Sequence, residues 1–97
     1  MFDFEKLKIY THAKRFNSHV RIVLNQTKLD YSTRDQLSRA SLSVVCNTAE
    51  GTGRFSKPDK RHFVVMAKSS AFECVAILDV LRDEKLISGK QYESLYA

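Results

Sequence analysis

The chain is 97 residues long, 43% apolar and 28% charged, with 16 Lys and Arg against 11 Asp and Glu for a net charge of +5. A chain of this length builds one core rather than two, and its apolar content excludes a disordered polyelectrolyte. Three Gly and a single Pro are too few for the frequent tight turns of a β-sandwich, so one all-helical domain over residues 1–97 is expected.

No unbroken apolar run is longer than that from Phe63 to Ala67, far short of the ~20 residues that span a bilayer. The amino-terminal MFDFEKLKIY is too charged for a secretory leader, and a cytoplasmic protein without membrane contact is expected. Cys46 and Cys74 sit within apolar stretches without CxxC spacing, a pattern that reads as two buried free thiols rather than a disulfide or metal pair. Charge is unevenly spread: residues 1–69 carry thirteen basic and six acidic groups, residues 70–97 three and five. An anionic partner such as RNA or DNA would therefore meet the first two-thirds of the chain. The competing reading is a charged helical surface that only keeps the protein soluble.

Phe4, Leu7, Tyr10, Ala13, Phe16, Val20 and Val23 recur at steps of three and four, which predicts a first helix over residues 3–24. Ser32-Thr33-Arg34-Asp35 supplies hydroxyl caps followed by an acid, which predicts a second helix over residues 33–50. Seven of the twelve residues from Ser38 to Ala49 are Ser, Ala, Thr or Cys. Side chains that small permit close backbone approach and place this helix at the centre of the packing. Gly51 and Gly53 are expected to end it through the left-handed conformation open to glycine. Neither GxGxxG nor GxxxxGK[ST] is completed here, so the turn is not read as a nucleotide site.

Ser56-Lys57-Pro58-Asp59 predicts a third helix over residues 57–82, with Ser56 as cap, Pro58 tolerated in the first turn and Asp59 complementing the helix dipole. Between Phe63 and Leu81 the formal charges are Lys68, Glu73 and Asp79 alone. That leaves more apolar surface than one stripe requires and predicts a homo-oligomer. Ser88-Gly89-Lys90-Gln91 is a capping box for a short fourth helix over residues 89–96, too short to cover the third along its length.

The run Gln36 to Gly51, ending Asn47-Thr48-Ala49-Glu50-Gly51, with Gly53-Arg54 and the Ser56-Lys57 helix start after it, resembles the four-helix-bundle proteins encoded in intervening sequences of bacterial large-subunit ribosomal RNA genes. The opening Asp3-Phe4-Glu5-Lys6-Leu7-Lys8-Ile9-Tyr10, Ser70 with Glu73, and Ser88 to Leu95 are similar to further segments of that family. Ser38 differs, standing where the family often has a second Arg before Arg39. The resemblance implies an antiparallel up-down-up-down bundle assembled as a ring-like homopentamer with a basic surface. It also implies kinship with accessory proteins of diversity-generating retroelements, which bind a reverse transcriptase and nucleic acid.

Reactive groups are scattered rather than convergent. His12 and His19 share a face of the first helix but lack a further placed ligand, and no spacing pairs Cys46 or Cys74 with His62. The chain is read as non-enzymatic, without cofactor or metal. Asn47, Glu50, Ser70 and Glu73 are read as a polar clamp that fixes helix register, Glu73 needing Asn47, Ser43 or Arg39 as partner if buried. For binding, Arg54, Lys57, Lys60 and Arg61, joined by Arg39, can contact several phosphates around the turn into the third helix. Phe55 among them can stack on a base, and Lys8 with Arg15 and Lys14 with Arg21 form a weaker stripe on the first helix. The two functions left open are a nucleic-acid-binding accessory protein, contacting structured RNA or a reverse-transcription complex, and a structural homo-oligomer that recruits another protein.

Overall fold

Local capping and an apolar repeat of three to four residues build four helices: α1 (Lys8–Gln26), α2 (Tyr31–Thr52), α3 (Lys57–Asp83) and α4 (Gly89–Ser94). The computed structural model describes residues 7–96, and no strand occurs among them. The expected start of α1 at Asp3 and the apolar position at Phe4 lie outside the described residues. Leu7 itself is extended and acts as an N-cap without a side-chain bond, so α1 begins at Lys8. Leu7 and Ile9 are exposed.

The second helix begins at Tyr31, two residues earlier than the hydroxyl pattern predicts, because Asp30 is the cap. Its Oδ2 accepts the Thr33 N–H at 3.0 Å. Arg34 Nη2 then donates to the Thr27 carbonyl at 2.8 Å, tying the start of α2 to the end of α1. Gly51 does not end α2. The helix runs on to Thr52, and Gly53 closes it at φ −85°, ψ −6°, in right-handed geometry. Ser56 caps α3 through the Asp59 N–H at 3.2 Å, as the sequence predicts.

At the far end of α3 the left-handed residue is Lys85, at φ 62°. The Leu86 N–H reaches Leu81 O at 2.9 Å and the Lys85 N–H reaches Arg82 O at 3.0 Å, the two bonds of a Schellman closure. The capping box of α4 forms as its sequence predicts: Gln91 N–H donates to Ser88 Oγ at 3.0 Å and Ser88 N–H to Gln91 Oε1 at 2.9 Å. Arg82 stacks over the Tyr92 ring at 4.2 Å and Gln91 Nε2 donates to Gln26 Oε1 at 3.3 Å, so α4 is held against α3 and the end of α1.

The small-residue helix α2 packs against both α1 and α3. Four helices packed in this way are consistent with a bundle. The core gathers Val20, Val23 and Leu24 of α1, Leu37 and Ala40 of α2, Cys74, Leu78 and Leu81 of α3, and Ile87 and Leu95 beside α4. It therefore occupies the end that α4 closes. The body measures 44 × 21 × 19 Å, and its other end, where α2 finishes and α3 starts, buries Thr48 and Gly51 but leaves Val64, Val65 and Met66 exposed, as is Phe72 farther along α3. No described helix is long and apolar enough to cross a membrane.

Candidate nucleic-acid interface

The α2–α3 turn and the first two turns of α3 carry the densest positive charge of the sequence. Their cations fall into two groups. Arg54 is held: Nη2 meets Glu50 Oε2 at 2.8 Å, and the guanidinium lies 4.6 Å from the Phe63 ring centre. Arg39 is likewise paired, Nε lying 3.1 Å from Asp35 Oδ2. Both pairs follow i,i+4 spacing, so an acid four residues ahead of each Arg was the sequence signal that could have found them.

Lys57, Lys60 and Arg61 are exposed and make no ion pair among the described residues. Helical rotation of about 100° per residue divides them. Lys57 and Arg61, one turn apart, share a shallow 390 Å³ depression with Pro58, His62 and Val65. Lys60 turns instead to a 430 Å³ groove, where with Lys68 it flanks an apolar surface including Leu7, Ile9, Val64 and Ala67. The positive end of the α3 dipole adds to the field of all three, and Asp59 is the acid among them. Phe55, in the turn itself, is completely exposed at 102%.

The polar clamp is smaller than its sequence reading. Ser43 Oγ lies 2.9 Å from Ser70 Oγ across the α2–α3 contact, and Asn47 Nδ2 donates to Ser43 O and Oγ, each at 2.9 Å. Asn47 and Ser70 thus meet through Ser43. Glu73 is exposed, because the α3 stripe of Cys74, Leu78 and Leu81 turns inward and leaves it toward water, where a carboxylate keeps its hydration. Glu50 is at the surface with Arg54. A second polar link went unread in the sequence: Ser41 Oγ, fully buried, donates to Asn17 Oδ1 of α1 at 2.7 Å.

Both cysteines are free, but Cys46 is exposed and only Cys74 is buried. Cys46 lies off the inward stripe of α2 marked by Leu37, Ala40, Ser41 and Thr48. Burial pushes the Cys74 thiol up to about 11, with the Glu73 charge adding to the shift, so it carries little thiolate at neutral pH. On α1, His12 lines a 350 Å³ cleft with Arg15, Phe16, Leu95 and Tyr96, while the Nδ1 of the half-buried His19 has no partner among the described residues. Lys8, Lys14, Arg15 and Arg21 are exposed, Lys14 Nζ lying 5.1 Å from the Tyr10 ring centre. Among the described residues no three His, Cys, Asp or Glu converge as metal ligands.

An all-helical chain with an exposed, partly unpaired basic turn is the class defined by these features. The sequence model of the 23S rRNA-intervening sequence proteins matches residues 5–97, and the chain belongs to that family. No curated protein and no solved structure matches it.

Proposed function

We propose that the protein is a non-enzymatic nucleic-acid-binding accessory factor that holds phosphates on the basic surface around the start of α3. The observation that carries this reading is the set of unpaired, exposed cations Lys57, Lys60 and Arg61. Arg39 and Arg54 contribute less, because a bound phosphate must compete with Asp35 and Glu50 for them. Family membership favours structured RNA as the ligand, and the retroelement resemblance extends it to a reverse-transcription complex in the cytoplasm.

Assembly multiplies the surface. The contacts Arg34–Thr27 and Ser41–Asn17 toward α1, and Ser43–Ser70 and Gly51–Phe63 toward α3, support an antiparallel order of the three long helices, since partners in α1 and α3 retreat as α2 advances; the resemblance extends it to an up-down-up-down bundle. Val65, Met66 and Phe72 are 53%, 45% and 72% exposed, which supports a homo-oligomer, and the resemblance supports a ring-like pentamer. Each copy would present the same cations, raising the effective concentration for a long polyanion. The same apolar face favours the second reading, a structural homo-oligomer that recruits another protein.

Titration of RNA binding against salt separates the two. Phosphate binding predicts affinity that falls with a log–log slope of ~0.7–0.9 per neutralised phosphate. Changing Lys57, Lys60 and Arg61 to Ala would weaken binding to all sequences alike and make that slope shallower by about 2–3. Wild-type affinity in the triple variant would reduce the cluster to a solubilising surface and favour the recruitment reading.

A further inference from the structure

Phe55 packs against no other side chain among the described residues. It is fully exposed at 102% and makes no ring or cation contact among the described residues. The adjacent Arg54 does not shield it, because that guanidinium is committed to Glu50 and the face of Phe63. The turn therefore presents a bare aromatic ring, which forgoes the burial that ordinarily orders such a side chain. Unpaired cations lie close by. Lys57 is two residues away, at most ~7 Å along the chain, and Arg61 joins it in one depression.

We infer that Phe55 stacks on an unpaired base while Lys57 and Arg61 hold the flanking phosphates, so that this interface selects single-stranded or looped nucleotides over duplex. The inference rests on the phosphate-binding reading above and adds a ligand class to it. Bases within a duplex are already stacked on both faces and offer a side chain no free surface, whereas an unpaired base offers one to any aromatic ring. Positive charge beside the ring favours a polyanion as the occupant over an apolar protein surface, which would have to desolvate both cations. Stacking is also tolerant of sequence.

The test compares an oligouridylate of about 12 nucleotides with a blunt RNA duplex of the same length, using the full chain. Phe55→Ala should weaken single-strand binding about tenfold, leave duplex binding unchanged and melt like the wild type, since the ring packs on nothing. The chain has no Trp, so Phe55→Trp introduces a single reporter, whose emission should be quenched by the oligouridylate and not by the duplex. Equal losses for both probes, or none, would overturn stacking; the phosphate reading would survive if Lys57→Ala with Arg61→Ala still weakened both. A wild type that binds neither probe would end both readings together. Stacking is also overturned if Phe55→Ala lowers the mass seen by light scattering, or abolishes sedimentation with phosphatidylglycerol vesicles, while RNA binding persists.

Discussion

Gly51 of α2 faces Phe63 of α3 so closely that a β-carbon at residue 51 would lie 3.2 Å from Phe63 Cβ and 3.6 Å from the Lys60 carbonyl oxygen. The glycine serves this close approach and not a turn, since no glycine here has a positive φ. Phe63 carries Arg54 against its ring, so the contact also positions the start of the basic cluster.

Enlarging residue 51 is expected to wedge the two helices apart. Gly51→Leu should destabilise by ~1–3 kcal/mol through overpacking, whereas Gly51→Ala should stay within about 1 kcal/mol because its helix propensity offsets the tight contact. Urea unfolding of the two variants checks this, and equal stability of wild type and Gly51→Leu would show that the contact has room to relax.

The Ser43 hydroxyl is the junction of the polar link, so its loss should matter more than that of Asn47 or Glu73. Ser43→Ala strands the Ser70 hydroxyl and one Asn47 bond, an expected cost of ~1–3 kcal/mol. Asn47→Leu leaves Ser43 bonded to Ser70 and should cost less, while the exposed Glu73→Leu should change unfolding by no more than about 0.5 kcal/mol. A Ser43–Ser70 double-mutant cycle in denaturant measures the coupling.

Lys85 adopts a left-handed conformation, φ 62°, that costs a non-glycine residue roughly 1–2 kcal/mol. Lys85→Gly is expected to stabilise by ~0.5–1 kcal/mol after the greater freedom of glycine in the unfolded chain is subtracted. Lys85→Val, β-branched, should destabilise. Thermal melts should place the three proteins in the order Gly, Lys, Val, and a melt of Lys85→Gly below wild type would contradict the strain.

Hydrogen bonds from Thr33 hold the Asp30 carboxyl below its ordinary value of 3.8. A carboxylate depressed in the folded state contributes stability that is present above its unfolded pKa and is lost as pH falls through its folded one. The melting temperature of the wild type should therefore drop on acidification below pH ~4. Asp30→Asn, which can still cap but cannot titrate, should show a shallower acid limb, measured by melts between neutral and strongly acid pH. Identical acid limbs would remove Asp30 as a contributor.

Helix existence and most boundaries were legible because they are set within a few residues: Ser56 and Ser88 cap as their sequences predict, and the small-residue run did mark the helix that contacts both long neighbours. Only tertiary structure decided which way the side chains turn. One residue of helix rotates a side chain by about 100°, so the choice between a buried and an exposed Glu73 or Cys46 hangs on the packing of α2 against α3, which no local pattern contains. The same packing kept Gly51 inside a helix instead of ending one, and brought Ser43 to Ser70 and Ser41 to Asn17 across 27 and 24 residues of chain. The cations of the interface were visible as charges, yet their division into the held Arg54 and the free Lys57 and Arg61 arises from where Glu50 and Phe63 come to lie. A list of residue types carries charge; only the folded chain says which charges are already answered.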